Sequence, residues 1–541
     1  MQPYLTARSQ FGRAFSSILA CVLFLGQIAA ASAADTDRES RREQTRLKQQ
    51  ETSHWLFSEF QFEALEKPLT ARLTGAEISD IDSASRAVSP LKVGLSKAVS
   101  ASVKFAEFAS LRGGAKWLGN RAGAATGTED GGFVYSMTLH APGAAAMRVH
   151  FKNFDLPGNA DLYLFTADGQ AAGPYRRNGP LKSGEFWSDA LFSDFVMLQV
   201  RYFGPPSRGD LSRSGFQVAE IGHVRPGFLD GLCNYNESCV ENAECHVSGG
   251  VMEQVSDAVA SILFQSGNFL YICSGGLIAD TDNGNNRPLF LTANHCVSRN
   301  QEANSLQTFF QYKAPSCSDP GHCNIDNLTP STNGASILSK GRTSDYTLLE
   351  LAQAAPAGSH FLEWNESPVA NANGTDLFRI SHPSGAPQAY SEHSVDTSSP
   401  VCGGLPRGNF IYSQDTLGAT EGGSSGSPVV DSAGRIVGQL YGACGFTLEV
   451  CDPEENWTVD GAFASYFSNV EDILDPAGGG GCTPAPEICD DNVDNDCDGD
   501  VDDNDSDCQG GNGLPSGASC TDDSQCVSGK CRGRPGAQTC R

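Results

Sequence analysis

Three short stretches hold residue types that together could carry out acyl-transfer chemistry. Residues 421–430 read Glu-Gly-Gly-Ser-Ser-Gly-Ser-Pro-Val-Val, with Ser425 between Ser424 and Gly426. A nucleophilic serine needs its hydroxyl on a rigid turn, with backbone N–H groups aimed at the oxygen that becomes negative. Glycine admits the backbone conformations of such a turn and keeps side chains clear of a substrate. The N–H groups of Gly423 and Ser425 are the candidates for that oxyanion hole. Read alone, the stretch also fits an ordinary Ser/Gly turn. In "FLTANHCV" His295 stands at the end of an apolar strand, directly before Cys296, and Asp345 precedes the apolar run "YTLLEL". An imidazole can take the serine proton. A carboxylate can accept the other imidazole N–H, fix the tautomer and stabilise the imidazolium that forms. Elsewhere such an aspartate is a turn residue and a lone histidine is structural.

The elements that must position these residues are short strands. From 231 to 475, "LFLTANHCV", "LQTFFQYK", "DYTLLEL", "DLFRISHPSG", "PVVDSAGRIVGQLYG" and "GAFASYF" are apolar runs broken by turn residues. Many short strands with few helical periods indicate a barrel or sandwich. Residues 468–475 could add a short closing helix. A second strand-rich region, 118–222, alternates Phe133, Tyr135, Met137 and Leu139 with smaller neighbours and reads as a β-sandwich. Residues 34–117 begin charged and helix-prone and then lack a clear core pattern. Residues 1–33 read as an export signal: Arg8 and Arg13, an apolar run from Ile18 to Ala31, then Ala31-Ser32-Ala33. That run is short for a transmembrane anchor. "PAGGGG", 476–481, is a linker, followed by cysteine-rich pieces at 482–508 and 516–541.

The chain has 541 residues and a net charge of −27, which argues against nucleic acid as a partner. Of its 19 cysteines, Cys21 lies in the signal, leaving an even set in an exported chain. That pattern implies disulfides, and the Cys-x-x-Cys pairs of a structural zinc site are missing.

Taken jointly, "CSGGLI", "LTANHC", "SDYTLLEL" and "GGSSGSP" resemble the trypsin-like serine endopeptidases, and the order His, Asp, Ser is that of the chymotrypsin fold. The closest likeness is to secreted bacterial lysyl endopeptidases, through "FLTANHC", "HPSG" at 382–385, "GSSGSP" and the "GQL-aromatic-G" pattern. The likeness covers about 240 residues and implies a mainly β protein. A double-barrel protease domain would follow a β-sandwich pro-domain and precede small disulfide-rich modules. It implies roles too. Ser425 attacks the peptide carbonyl, His295 moves the proton, Asp345 orients His295, and neither metal nor organic cofactor takes part. Protein or peptide substrates follow. "NFDLPG", "GPY" and "GEFWSD" resemble the pro-region of that branch, and "CNYNESC" the start of its mature enzyme. By the same likeness Cys273 pairs with Cys296, Cys239 with Cys317 and Cys233 with Cys444. Ser424 stands where animal trypsins hold the aspartate that pairs with a new N-terminus, so maturation would proceed by removing a covering segment.

Specificity is less determined. Ala419 occupies the place of trypsin's basic-selecting acid. The lysyl branch carries its acid within the stretch matching "NWTVDGA". Asp460 lies there, yet alignment on Gly461 puts Thr458 at the acid's place. Tyr441 falls on the pocket wall of that branch. If Asp460 lines the pocket, Lys or Arg is preferred before the cut; if not, small or apolar residues are. Between 214 and 251 the only basic residue is Arg225, before Pro226, a poor site for self-cleavage by a basic-specific enzyme.

Residues 482–508 hold ten aspartates and one glutamate. Asp494, Asp496 and Asp498, with Gly499 at the turn, Asp500, Asp502 and Asp505, fit a Ca²⁺ loop whose last position is Asp in place of Glu. The piece 516–541 resembles a Dickkopf-type cysteine-rich repeat and needs its bridges to fold. A cell-surface ligand is one role for these modules. A protease-fold adhesion protein without activity is the competing class, and a non-peptide esterase a third with no residue in its favour.

Overall fold

The computed structural model describes residues 38–82, 90–111, 113–119, 123–225, 237–247, 249–282, 287–318, 325–326, 328–447, 449–476, 530–534 and 537–540. The expected export signal, Cys233 and the aspartate-rich stretch 494–505 lie outside them. Among the described residues no helix is long and apolar enough to cross a membrane. The chain divides into one unit of residues 1–279 and 287–466, and a second of 280–286 and 467–541.

Within the first unit, the strands that position the site are β1 (Leu91–Lys104), β2 (Val259–Ser266), β3 (Phe269–Leu277), β4 (Leu289–Ala293) and β5 (Tyr346–Leu351). They continue with β6 (Asp376–Ser381), β7 (Ala389–Val395), β8 (Phe410–Leu417), β9 (Pro428–Val430), β10 (Ile436–Gly445) and β11 (Asn456–Ala462). Strands β2 to β5 pair in sequence, β2 with β3, β3 with β4 and β4 with β5. Strands β6 to β11 run in the order β7-β6-β9-β10-β11-β8, and β8 pairs back onto β7, closing a barrel. The core of this barrel holds Leu377, Val395, Ile411, Val429, Val437 and Ala462. Closure removes the open sheet edge that would otherwise template aggregation. Two stacked antiparallel systems of this kind match the expected double-barrel class.

The N-terminal sandwich is present but begins earlier than residue 118. One sheet carries Phe133–His140 and Phe195–Tyr202; the facing sheet carries β1, Ala146–Asp155 and Gly215–Val224. Phe133, Tyr135, Met137 and Leu139 share a core with Val149, Phe151, Phe216 and Ile221. β1 escaped notice in the sequence because its apolar positions past Leu95 are mostly small, in "SKAVSASV", so the alternation is shallow. β1 also pairs with β3, Leu91 opposite Ile272 and Leu95 opposite Phe269. The sandwich sheet and the first barrel therefore share one ladder. Arg148 of the sandwich is fully buried and donates to the carbonyl oxygens of Ser188 at 2.9 Å and Ser305 at 2.7 Å, and to Asn333 Oδ1 at 2.9 Å. Loss of water lowers its pKa to about 10.

In the second unit the short helix Glu471–Leu474 forms as read, and Thr281 Oγ1 donates to Asp475 at 2.6 Å. Cys531–Arg534 and Ala537–Cys540 pair as a hairpin.

Candidate active site

His295 follows the end of β4, a strand buried along its whole length. Asp345 immediately precedes β5, which pairs with β4 so that Ala293 faces Tyr346. Sheet register thus delivers the two residues side by side. Asp345 takes φ +54°, a conformation uncommon outside glycine. Its carbonyl accepts from Asn294 N at 2.8 Å. Its carboxylate receives two donors from one residue. His295 backbone N–H donates to Oδ1 at 2.8 Å, and His295 Nδ1 lies 2.6 Å from Oδ2. The second barrel reinforces this geometry: Gln439 Nε2, on β10, donates to the carbonyls of Ser344 at 2.8 Å and Asp345 at 3.2 Å. Tyr466 OH in turn donates to Gln439 Oε1 at 2.6 Å.

Ser425 lies on the turn into β9, in the other barrel. Its carbonyl accepts from Ser274 N at 2.8 Å, and its Oγ lies 3.4 Å from the Tyr441 carbonyl. Tyr441 places its ring edge-on to His295, centroids 5.7 Å apart. Ser425 and His295 therefore meet the same tyrosine. The glycines of the turn are required by space. Gly426 has φ +83°, and a Cβ there would sit 2.2 Å from Thr292 Oγ1 and 2.5 Å from the Ser274 carbonyl. Gly423 has φ +104°, and a Cβ would approach His382 O to 2.9 Å. The permissive residues shape a tightly packed turn.

Cys273 and Cys296 are disulfide-bonded beside His295. Their sulfurs and a His295 ring nitrogen cluster within 4.8 Å, but bonded sulfurs offer no thiolates to a metal. The other two pairings implied by resemblance are corrected. Cys239 bonds Cys451, not Cys317; Cys317 bonds Cys245; Cys444 bonds Cys402, not Cys233. The reason is local. The loop after β10 brings Cys451 to a Cα distance of 5.6 Å from Cys239. Asp460 is likewise displaced from the expected role. It is fully buried, and Arg379, also fully buried, donates to its Oδ1 at 2.5 Å. The carboxylate is neutralised inside the barrel and does not face an open pocket.

Two supports went unread in the sequence. Ser274 Oγ donates to Gly423 O at 2.9 Å, tying the first barrel to the turn. In "HPSG", Ser384 N donates to Gly422 O at 2.7 Å, with Ser384 at φ +52°. His382 is stacked on Tyr312 and its burial lowers its pKa to about 4, so it stays neutral. The signal for both lay in the quoted motifs, whose positions beside the nucleophile only the fold reveals. Ser424, fully buried, accepts from Ser381 Oγ at 3.1 Å, a neutral contact where an ion pair would need an aspartate.

Residues 231–452 match the family model described as "Lysyl endopeptidase, C-terminal domain". That segment is similar to the lysyl endopeptidase branch of the trypsin-like proteases. A lysyl endopeptidase of Pseudomonas aeruginosa is 29% identical over 373 residues, 64% of this chain and 77% of that protein. Secreted RxLR effector protein 73 of Plasmopara viticola is 25% identical over 332 residues, 58% of this chain and 78% of that protein. Among solved structures, an HtrA-type protease with tripeptide aligns at TM-score 0.31 and 13% identity, covering 41% of this chain and 62% of that one.

Proposed function

We propose that the chain is a secreted serine endopeptidase that works through a His295–Asp345–Ser425 triad and an acyl-enzyme. The observation that carries the reading is the two-point grip of Asp345 on His295, through backbone N–H and Nδ1. Ser425 lies on a turn whose next residue, Gly426, has no room for a Cβ. Asp345 accepts the Nδ1 proton, which leaves Nε2 as the base for Ser425 Oγ. Oγ attacks the carbonyl carbon while His295 takes its proton. The N–H groups of Gly423 and Ser425 receive the oxyanion; His295 then gives the proton to the leaving amine. Water repeats the sequence to release the acid.

Residues 1–33 are proposed to direct export, and the disulfides suit an oxidising compartment. The aspartates at 494, 496, 498, 500, 502 and 505 are proposed to bind Ca²⁺ as a module apart from catalysis, and the modules that follow to hold a surface ligand. The test of the catalytic reading is hydrolysis of an unfolded protein such as reduced casein by the secreted chain. Ser425→Ala must abolish it. Activity surviving in that variant rules out Ser425 as the nucleophile, and no hydrolysis by either favours the alternative of an adhesion protein on a protease fold.

A further inference from the structure

We propose that Gln439 is a positioning residue of the triad. Its side chain fixes the backbone at Asp345, and the strand that carries it fixes the turn at Ser425, so one residue sets the base and the nucleophile in register. The inference rests on the endopeptidase reading above and names what holds that site together.

His295 and Asp345 belong to one sheet and Ser425 leads into a strand of another, so strand pairing alone does not align them. Gln439 reaches both sides. Toward the nucleophile the contact is backbone. Gln439 is opposite Pro428 in the ladder of β9 and β10. Its neighbour Leu440 donates its N–H to Ser427 O at 2.9 Å, and the Leu440 carbonyl accepts from Gly426 N at 2.8 Å. The two residues that follow Ser425 are thereby tied to β10. Toward the base the contact is the side-chain amide. Nε2 donates to Ser344 O at 2.8 Å and to Asp345 O at 3.2 Å. These carbonyls belong to the two peptide planes that flank the Asp345 Cα. Each plane is rigid, so one NH₂ group that holds both sets φ and ψ between them. Asp345 stands at φ +54°, a conformation that a residue other than glycine keeps only where its surroundings impose it. With the backbone set, the direction of the carboxylate follows, and with it both hydrogen bonds to His295.

The amide is itself anchored. Tyr466 OH donates to Gln439 Oε1 at 2.6 Å, which keeps the NH₂ end aimed at the carbonyls. The Tyr466 ring stacks on Tyr346, the residue after Asp345, with centroids 3.9 Å apart. The hydroxyls of Ser344 and Ser465 lie 2.6 Å apart. Gln439, Tyr466 and Ser344 are buried, so water does not compete for these bonds. Gly461, opposite Gln439 on β11, supplies the room: a Cβ there would collide with Ser344 O and Gln439 Nε2. The site thus spends a glycine to admit this amide, and Ser344, Asp345 and Tyr346 are each gripped from the second barrel.

The experiment measures kcat and KM on one chromogenic peptide for the secreted chain, Gln439→Met, Tyr466→Phe and the double variant. Each rate is divided by the number of serines that a fluorophosphonate labels at completion. A merely structural role would not move that quotient, because misfolded molecules drop out of the count. Gln439→Met keeps the length of the side chain and loses the donor; it should lower kcat per labelled site by roughly 100-fold while KM stays within about 3-fold. Tyr466→Phe leaves the amide without its anchor and should cost about 10-fold. In the double variant the tyrosine change should add less than about 2-fold, since the group it anchored is gone. An unlabelled serine in the unmodified chain overturns the endopeptidase reading, and this inference with it. A labelled serine, with kcat per site in Gln439→Met within about 3-fold of the unmodified chain, overturns the positioning role alone. So does a double variant in which the two losses multiply. If Gln439→Met is not secreted, Tyr466→Phe decides, and an unchanged rate per labelled site overturns the assignment.

Discussion

Replacing Asp345 by asparagine should cost about four orders of magnitude in kcat while leaving the fold intact, and the structure says why. The carboxylate accepts two hydrogen bonds from His295, the backbone N–H at 2.8 Å and Nδ1–H at 2.6 Å. An asparagine offers one oxygen and one NH₂ group. With the NH₂ toward the backbone N–H, two donors collide, so the amide must turn its oxygen there and its NH₂ toward Nδ1. Nδ1 then has to accept, and the imidazole proton moves to Nε2, the atom that must receive the proton of Ser425. The base is blocked by its own tautomer. The expected loss is roughly 10⁴-fold in kcat, or about 5 kcal/mol of transition-state stabilisation. Asp345 is buried, and the exchange leaves no uncompensated charge, so the melting temperature should move by only a few degrees. The assay is steady-state hydrolysis of a chromogenic peptide, paired with thermal unfolding. Retention of activity within about 30-fold of the unmodified enzyme, with folding preserved, would refute the tautomer argument.

Further outcomes follow from the same contacts. Gly426→Ala places a methyl group 2.2 Å from Thr292 Oγ1 at φ +83°; a loss of at least about 3 kcal/mol should appear in denaturant unfolding or as failed secretion. Asp460→Asn leaves the buried Arg379 cation without its counter-charge. It should destabilise by about 3–5 kcal/mol, whereas the double change Arg379→Met with Asp460→Leu should recover most of that. His382 and His223 are both held neutral by burial, with pKa values near 4. Each contributes stability that is present above the unfolded histidine value of about 6.5 and is lost as pH falls toward 4. A pH series of unfolding midpoints should therefore decline steeply between about 6.5 and 4, by on the order of 3 kcal/mol for His382 and by less for His223. His382→Asn should flatten its share.

The residues proposed for catalysis were legible in the sequence because their chemistry demands them in short contiguous motifs. "TANHC" and "GSSGSP" carry their own glycine, cysteine and strand-end context. Barrel strands such as "LFLTA" and "YTLLEL" were legible because they are almost wholly buried and read as mainly apolar runs. What stayed hidden depends on partners far away in the chain. The grip of Gln439 on the turn at Asp345, or of Ser274 on Gly423, has no local pattern. The disulfides of Cys239 and Cys444 join residues 212 and 42 positions apart, and no local pattern marks either partner. Asp460 looked available until Arg379, 81 residues earlier, appeared beside it. β1 hid because alanine and serine alternate too weakly to mark a face.

The most direct measurement is covalent. The secreted protein is treated with a fluorophosphonate, digested and sequenced by tandem mass spectrometry. A single adduct on Ser425, abolished by His295→Ala, is the expected result. No adduct at all, or an equal one on Ser424 or Ser427, would contradict a nucleophile at that position.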